Sequence, residues 1–246
     1  MRFNNMIDPI NFSVRSTGSE IMDDLDCNGS VVEQTLRELD FINKWLGGNA
    51  VTIRAVKSVW RTIPKDQPIY IADLGCGSGE MLRILAQLAV KENRKVILKG
   101  FDANPHIVKY ATDHSKEFDT ISFETSNVFS EEFHAQKFDL ILSTLFIHHF
   151  SDTEVEKLLS HFVKQARIAI IINDIHRHPL AYHSIKLLTR FFSRSDMVRF
   201  DAPLSVLRSF RERDFVSILD KAGIISYSLT WKWAFRWQLI IRSKAL

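Results

Sequence analysis

The sequence predicts an α/β fold with a mostly parallel sheet of seven strands and helices on both faces. Two observations carry this prediction. Short β-rich runs alternate with amphipathic helical stretches from Pro68 onward, and seven such runs can be counted. The length of 246 residues fits one large domain with a substantial core. Ligands of such sheets bind at the carboxyl ends of the strands, so residues that follow a strand are the functional candidates.

The elements can be assigned in chain order. Residues 1–65 form a helical N-terminal cap, with helices in "VVEQTLRELDFINKWL" and "AVTIRAVKSVW". Residues 66–246 form the main domain. Its predicted strands are "IYIADLG", "VILKGFD", "ISFETSN", "FDLILST", "ARIAIIIND", "GIISYSLTWKW" and "FRWQLIIRS". Its predicted helices are "EMLRILAQLAVKEN", "PHIVKYATDHSKE", "TEVEKLLSHFVKQ", "PLAYHSIKLLTRFFS" and "RERDFVSILDKAG". A helical insertion, residues 176–209, follows the fifth strand and is a candidate substrate lid.

The composition is that of an ordinary globular protein, since 46% of residues are hydrophobic and 25% are charged. Cys27 and Cys76 are far apart and lack CxxC spacing, so neither a disulfide framework nor a cysteine zinc site is indicated, and a cytoplasmic location is favoured. The sequence shows no export signal and no membrane-spanning run. Residues 176–246 carry 13 Lys and Arg against 5 Asp and Glu. This basic third could be a solvated face or could contact a membrane surface, whereas nucleic acid is not specifically indicated.

A glycine-rich loop follows the first strand. In "IADLGCGSGE", Asp73, Gly75, Gly77 and Gly79 lie between a strand and a helix, where glycine permits a close approach of the backbone to a ligand. The spacing is neither that of dinucleotide-binding proteins nor that of a P-loop. Asp102 ends the second strand, where a carboxylate can accept both hydroxyls of a ribose. Together these residues predict a nucleotide-like ligand, although Asp102 could instead cap the next helix.

Four motifs in order resemble those of the class I S-adenosylmethionine-dependent methyltransferases: "DLGCGSG", "FDANP", "SNVFS" and "FDLILSTLFIHHF". The resemblance covers about residues 66–242 and implies a Rossmann-like sheet with S-adenosylmethionine as cofactor. It implies that Asp73 and the glycine loop, including Cys76, hold the methionine part of the cofactor. Asp102 would bind the ribose, Asn127 with Val128 would bind the adenine, and Ala103 would also contact the cofactor. Ser143 and Thr144 would place backbone groups beside the amino acid end. The family often has Asp where Asn127 stands, but the amide oxygen of Asn can still accept a hydrogen bond.

The N-terminal "RSTGSEIMDDLDCNG" together with "NDIHRHPLAY" resembles bacterial small-molecule methyltransferases of secondary metabolism. The helical N-terminus of such enzymes covers the cofactor cleft. Arg15, Glu20 and Asp23 are therefore candidate lid contacts, and Arg15 is a candidate cofactor contact. Capping and surface charge are the alternative roles of these three residues.

Five residues after the fourth and fifth strands are candidates for catalysis: His148, His149, Asp174, His176 and His178. A hydroxyl acceptor needs a general base near neutral pH, and histidine is the usual choice. One histidine could face the acceptor, while Asp174 either fixes the tautomer of that histidine or contacts the substrate itself. The alternative for each is a hydrogen-bonded loop residue. Two histidines and one carboxylate fall short of a convincing ligand set, so no metal is predicted.

The insertion alternates apolar residues with Lys186, Arg190 and Arg194, a pattern that could roof an apolar pocket, form a homodimer interface or rest on a membrane. We therefore expect a small-molecule acceptor, aromatic or lipid-like, and O-methylation of an aromatic, quinol or polyketide-like hydroxyl. C- or N-methylation and a non-catalytic, cofactor-binding partner subunit stay open as alternatives. RNA modification is disfavoured because the fourth motif lacks an NPPY-like tetrapeptide.

Overall fold

A seven-stranded sheet lies at the centre of the computed structural model, which describes residues 10–243. Its order is β3-β2-β1-β4-β5-β7-β6. Strands β1 to β5 are parallel, and β7 runs antiparallel to both β5 and β6. The strands are β1 Ile69–Leu74, β2 Val96–Asp102, β3 Ile121–Thr125, β4 Phe138–Thr144, β5 Ala166–Ile175, β6 Tyr227–Lys232 and β7 Arg236–Arg242. The predicted mostly parallel, Rossmann-like sheet is confirmed.

Helices cover both faces of this sheet. They are α1 Gly29–Trp45, α2 Gly48–Trp60, α3 Glu80–Lys91, α4 Pro105–Asp113, α5 Glu131–His134, α6 Asp152–Gln165, α7 Pro179–Phe192, α8 Asp196–Arg208 and α9 Glu212–Lys221. On one face α6 and α9 pack around Phe162 and Phe215, and on the other α2 and α3 pack around Trp60 and Leu85. Both faces of the central strands are therefore buried, which explains their nearly continuous apolar runs.

Local sequence signals set several helix starts. Asn104 accepts hydrogen bonds from two backbone N–H groups at the start of α4, and Pro105 occupies the first helical position. Ser151 and Glu154 form a reciprocal capping box at the start of α6. Because these caps follow strands β2 and β4 closely, the loops at the carboxyl edge are short and well defined.

The expected N-terminal cap divides into two parts with different roles. Helix α2 belongs to the main core, since Val56 and Val59 are fully buried against the sheet. Residues 10–28 instead run across the carboxyl edge of the sheet and include one 3-10 turn, Ile21–Asp23. Only this segment and α1 are placed to act as a lid. The first nine residues of the expected cap lie outside the described part of the chain.

The insertion contains two helices, where the sequence pattern indicated only the first. Helix α8 packs against α7, α1 and the Ile21–Asp23 turn, so its apolar residues point in several directions and leave no single apolar stripe. Strand β6 is shorter than predicted, and the one-turn helix α5 was not expected. Within residues 10–243, no helix is long and apolar enough to cross a membrane.

Candidate functional site

A large cavity of about 1270 Å³ lies at the carboxyl edge of the sheet. The parallel register brings the ends of β1, β4 and β5 side by side, with Leu74 opposite Ser143 and Thr144 opposite Asn173. Fourteen of the residues singled out in the sequence line this cavity. They are Arg15, Glu20, Asp23, Asp73, Gly75, Cys76, Gly77, Asp102, Ala103, Asn127, Val128, Thr144, His148 and His149. Residues from nine separate parts of the chain thus meet where the fold class predicts a ligand.

The glycine loop after β1 depends on two different properties of glycine. Gly75, Gly77 and Gly79 all have positive φ, which other residues adopt only with strain. A Cβ at Gly75 would lie 2.2 Å from the ring of Phe146, and one at Gly79 would lie 2.6 Å from Phe123. Gly79 lies outside the cavity lining and serves this packing. Gly77 is open, because the nearest atom to a Cβ there is 3.8 Å away on Leu36. Gly77 is therefore where the backbone can approach a ligand.

Two carboxylates lie beside this loop, the buried Asp73 and the half-buried Asp102. Asp102 accepts hydrogen bonds from the backbone N–H groups of Gly77, at 3.3 Å, and Asn104, at 3.0 Å. Burial raises the pKa of Asp102, although these two hydrogen bonds oppose the shift. Burial and the charge of Asp102 raise the pKa of Asp73 to about 7. A cationic group bound between these carboxylates would stabilise their ionised forms.

The whole cavity carries an excess of negative charge. Eight carboxylates line it, against three arginines. The carboxylates are Glu20, Asp23, Asp40, Asp73, Glu80, Asp102, Asp152 and Asp201, and the arginines are Arg15, Arg208 and Arg236. A sulfonium ligand such as S-adenosylmethionine is attracted by this field, and its product, which has lost that charge, is held less strongly. The carboxylate-rich lining of the cavity therefore fits the cofactor that the sequence motifs imply.

The side chains of three predicted cofactor residues are buried or already contact other parts of the protein, which the sequence did not indicate. The side-chain oxygen of Asn127 already accepts the backbone N–H of Phe129 at 2.9 Å, so only its second lone pair is open to a ligand. Ser143 is fully buried and does not line the cavity. The hydroxyl of Thr144 lies 3.0 Å from that of Thr52 on α2. The side chain of Ser143 therefore does not face the cavity, and a contact of its backbone with the cofactor stays a prediction.

His148 and Asp174 form a buried pair at the ends of β4 and β5. The Nδ1 of His148 lies 2.8 Å from Oδ1 of Asp174, and both side chains are at most 2% exposed. Since a carboxylate only accepts, Nδ1–H donates to Asp174 and Nε2 carries the free lone pair. Burial tends to raise the pKa of Asp174, but the charge and hydrogen bond of His148 outweigh it and hold that pKa below its usual value. Asp174 lies behind the cavity wall and His148 lines it.

Glu20 faces His148 from the N-terminal segment. Its Oε1 lies 3.7 Å from Nε2 of His148 and 3.5 Å from Nη1 of Arg208, with the Glu20 side chain 4% exposed. Oε1 has no hydrogen-bond partner within the described residues. Burial raises the pKa of Glu20 to about 7, although His149 and Arg208 oppose the shift. The cavity therefore holds a carboxyl that exchanges protons near neutral pH beside the imidazole of His148.

The N-terminal segment is fastened over the cavity by charged hydrogen bonds. Arg15 donates to the carbonyl oxygens of Arg208, His148 and Phe150 and to Asp152. These four hydrogen bonds leave the guanidinium little capacity for a cofactor contact. Arg15 is therefore placed as a clamp, and a direct contact with cofactor stays a prediction.

A second anchor of this segment joins Asp23, His149 and Arg208. Asp23 accepts from Nδ1 of His149 at 2.6 Å and from Arg208. Burial tends to raise the pKa of Asp23, but these two hydrogen bonds outweigh it and hold the pKa below its usual value. The predicted lid contacts of Glu20 and Asp23 are thus contacts with other parts of the protein. They bring the lid onto the histidines after β4.

His176 and His178 do not line the cavity, contrary to their expected placement. They face a separate, open hollow beside Arg211 and Tyr227. Burial lowers the pKa of His176 to about 4, and its Nδ1 lies 3.2 Å from the indole nitrogen of Trp231. The Nδ1 of His178 accepts the backbone N–H of Leu180, so this histidine caps α7. The sequence signal for that role was Pro179, at the first helical position.

One group of side chains has the composition of a metal site. Glu20, His148 and His149 offer ligand atoms within 4.8 Å of one another. Arg208 lies against Glu20 and Asp23, however, and supplies positive charge at this position. A divalent cation would have to overcome that repulsion, so the arrangement favours a proton-transfer site over a metal centre.

Sequence reasoning missed several residues that shape the cavity. Asp40 of α1 accepts from the hydroxyl of Ser78 in the glycine loop at 2.7 Å. Asp201 of α8 accepts the backbone N–H groups of Ile21 and Met22. Arg208 of α8 donates to Asp23 and lies 3.5 Å from Oε1 of Glu20. Their partners are 38 to 185 residues away in sequence, so no local motif indicates them.

Comparisons with solved structures show the same fold. The plantazolicin methyltransferase BpumL in complex with SAH has 15% identity and a TM-score of 0.62, over 87% of this chain and 100% of that chain. A SAM-dependent methyltransferase from Aquifex aeolicus has 16% identity and a TM-score of 0.59, over 85% and 96%. The CMeT domain of the citrinin polyketide synthase has 14% identity and a TM-score of 0.58, over 76% of this chain. The chain spans about half the length of that last structure, 50%.

Among curated proteins, no sequence matches this chain. The profile of the family described as "Methyltransferase domain" matches residues 66–198, more than half of the chain. The matched region includes the glycine loop, Asp102, His148 and Asp174. The chain therefore belongs to the methyltransferase-domain family.

Proposed function

We propose that this protein transfers a methyl group to a hydroxyl of an apolar, aromatic or lipid-like small molecule, with His148 as general base. The observation that carries the proposal is the His148–Asp174 pair. Its 2.8 Å hydrogen bond fixes the ring, with Nε2 facing the carboxyl of Glu20, another residue of the cavity lining. A phenolic or enolic hydroxyl is a poor nucleophile until its proton is removed, so a fixed base beside the cofactor cleft is the feature such an acceptor requires.

The cofactor's part in the reaction is to supply a methyl group on a positively charged sulfur. For its binding we propose Asp102 and Ala103 at the ribose, Asn127 and Val128 at the adenine, and Asp73, Cys76 and Thr144 around the methionine part. Gly77 brings the backbone close to the ligand, whereas Gly75 and Gly79 hold the loop's shape. This arrangement places the amino acid end near β1 and β4, on the same edge as His148.

The chain's own residues do three things in this proposal. His148 takes the hydroxyl proton at Nε2, and Asp174 stabilises the imidazolium through Nδ1. At 3.7 Å from Nε2, the ionised carboxylate of Glu20 stabilises the positive charge of the imidazolium. The N-terminal segment, held by Arg15, excludes water from the reacting atoms. Because charge on the sulfonium is neutralised as the new bond forms, a closed and partly apolar pocket favours the transition state.

The apolar part of the cavity supports an apolar acceptor. Side chains from the lid, α1, the insertion and the β6–β7 turn line the same cavity as His148. They include Met22, Leu25, Leu39, Ile42, Ile185, Leu188, Val206 and Trp233. A cavity of this size holds the cofactor together with a second molecule, and its apolar lining favours aromatic or alkyl groups.

A panel of phenols, quinols and enolic diketones tests the proposal, with His148→Ala as the variant. We expect methylation of at least one class, and at least ~100-fold lower turnover in His148→Ala while S-adenosylmethionine affinity stays within about threefold. Full activity of the variant would remove the general-base role. Tight cofactor binding without any methyl transfer would favour a non-catalytic partner subunit.

C-methylation is the second candidate, supported by the structural likeness to the CMeT domain. A carbon acid also needs a base to form its enolate, so the same His148–Asp174 pair serves this chemistry. Cofactor labelled with ¹³C in the methyl group separates the two, because methyl signals on oxygen and on carbon have different chemical shifts. An N-methyl signal would contradict both.

A further inference from the structure

Helix α7 exposes an unusual amount of apolar surface. Phe191 is 69% exposed and Phe192 is 80% exposed. Leu180, Leu187 and Leu188 are 61%, 59% and 40% exposed. Single exposed apolar residues are common on protein surfaces, but five large ones on a single helix mark an interaction surface.

The exposed residues of α7 form one face. Leu180, Leu187 and Phe191 are separated by seven and four residues, so they lie above one another on the helix. Leu188 and Phe192 extend this stripe on one side. The buried Tyr182 and Thr189 lie on the opposite side and pack against the protein. We call this stripe, Leu180, Leu187, Leu188, Phe191 and Phe192, the α7 face.

Positive charge borders the α7 face. Lys186 and Arg190 follow its other edge, and Arg194 comes directly after the helix, all three exposed. The helix sequence, "PLAYHSIKLLTRFF", contains no carboxylate. An apolar stripe with basic residues along its border is the pattern of helices that lie in the surface of an anionic bilayer.

The α7 face is continuous with the rim of the cavity. Leu188 belongs to the face and also lines the cavity, together with its neighbours Ser184 and Ile185. Trp233, in the β6–β7 turn, lines the cavity as well and is 74% exposed. An apolar molecule could pass between the surface under α7 and the cavity without crossing a polar barrier at Leu188.

A second pair of exposed aromatic rings lies beside the end of α7. Phe41 and Trp45 of α1 have ring centroids 5.6 Å apart and are 59% and 72% exposed. Glu38, on the same face of α1, accepts the backbone N–H of Arg194 at 3.0 Å. This contact ties that face of α1 to the end of α7, so both aromatic pairs lie in one region of the surface.

We propose that the α7 face docks on the surface of an anionic lipid bilayer. Phe191, Phe192 and Leu187 enter the boundary of the acyl chains while Lys186, Arg190 and Arg194 contact the anionic headgroups. The docking places the rim of the cavity against the lipid. In the light of the proposed function, the acceptor is then an amphiphile with an apolar chain, taken directly from the bilayer.

Flotation of the full chain with lipid vesicles tests this proposal. The vesicles are phosphatidylcholine alone and phosphatidylcholine with phosphatidylglycerol. We expect roughly tenfold or more binding to the anionic vesicles over the neutral ones, decreasing with salt. Phe191→Ser/Phe192→Ser and Lys186→Glu/Arg190→Glu should each lose most of this binding. Val90→Ser, at an 83% exposed apolar residue of α3, is the matched control and should bind as the parent does.

Two further measurements are needed: S-adenosylmethionine affinity, which tests whether the variants fold, and light scattering, which detects a dimer. Unchanged S-adenosylmethionine affinity in the double variants shows that they fold, and vesicle binding does not require methyl transfer, so failure of the proposed function leaves this test intact. Equal loss of binding in Val90→Ser would overturn the proposal, as would no binding to anionic vesicles. A dimer that dissociates in Phe191→Ser/Phe192→Ser would also overturn it, because a second copy would then cover the face.

Discussion

At the residue scale, the hydrogen bond from His148 to Asp174 decides which ring nitrogen can act on a substrate. Asp174→Asn offers a donor as well as an acceptor and no longer fixes Nδ1–H. We expect turnover to fall ~100-fold or more, while cofactor affinity stays within about threefold, because Asp174 lies behind the cavity wall. Steady-state kinetics and calorimetry check the two parts. Asp196→Asn, at an exposed carboxylate, is the control, and equal kinetics in both variants would disprove the role of Asp174.

Gly75 tests the shape of the cofactor loop. Alanine there combines a φ of +64° with a Cβ 2.2 Å from the ring of Phe146. Gly223→Ala has a similar φ, +68°, but nothing within 4 Å of its Cβ. In this control the free energy of unfolding should fall by only about 1 kcal/mol, the cost of placing a Cβ at positive φ. Gly75→Ala should lower the Tm further and weaken S-adenosylmethionine binding at least ~tenfold. Equal changes in Tm and in S-adenosylmethionine affinity in the two variants would show that the ring of Phe146 moves aside without loss of stability or binding.

Arg208 leads to a prediction about metal dependence. Because its guanidinium lies beside Glu20 and Asp23, treatment with EDTA should change neither cofactor affinity nor Tm. Added Zn²⁺ or Mg²⁺ should not raise the Tm of the treated protein. A metal-dependent increase that disappears in His149→Ala would show that Glu20, His148 and His149 bind a cation after all.

At the scale of elements, the N-terminal segment is held by Arg15 through contacts 133 to 193 residues away in sequence. Arg15→Ala should therefore free residues 13–27 without disturbing the sheet. We expect faster hydrogen exchange in that segment, unchanged exchange in β1 and β4, and roughly tenfold faster release of cofactor. Arg61→Ala, at an exposed arginine, should change none of these rates. Unchanged exchange in Arg15→Ala would mean that Asp23 and Asp201 hold the segment alone.

The sequence predicted the elements with strong local signals and missed those that depend on distant contacts. The seven strands and the glycine loop follow from buried apolar runs and glycine spacing, and the structure has them. Helix α8 was missed because it is surrounded and carries no apolar stripe. His176 and His178 were placed with the other histidines because sequence shows only that they follow β5. The direction in which a side chain leaves a strand end depends on the loop that follows the strand. Here His178 caps α7, and His176 contacts Trp231 of β6.

At the scale of the whole molecule, the negative cavity makes stability depend on pH. Burial raises the pKa values of Asp73 and Glu20 to about 7 and that of Asp40 to about 6. The folded protein therefore keeps protons that the unfolded chain releases near pH 4. The stabilisation is complete below about pH 4 and is lost as the pH rises to 7. His176, whose pKa is lowered to about 4, acts in the opposite direction between pH 4 and 6.5.

Asp73→Asn isolates one part of this balance, because it removes the carboxyl without changing its volume. Without cofactor, the variant should gain stability relative to the parent protein as the pH rises from 4 to 7. The difference in Tm should grow by roughly 5 °C over that range and stay constant above it. Thermal unfolding at fixed ionic strength measures this, and Asp220→Asn, at an exposed carboxylate, should show no such trend. S-adenosylmethionine should stabilise the parent most above pH 7, where Asp73 is ionised and attracts the cation. A Tm difference that shrinks with rising pH would mean that Asp73 is already ionised in the free protein, held so by groups other than the cofactor.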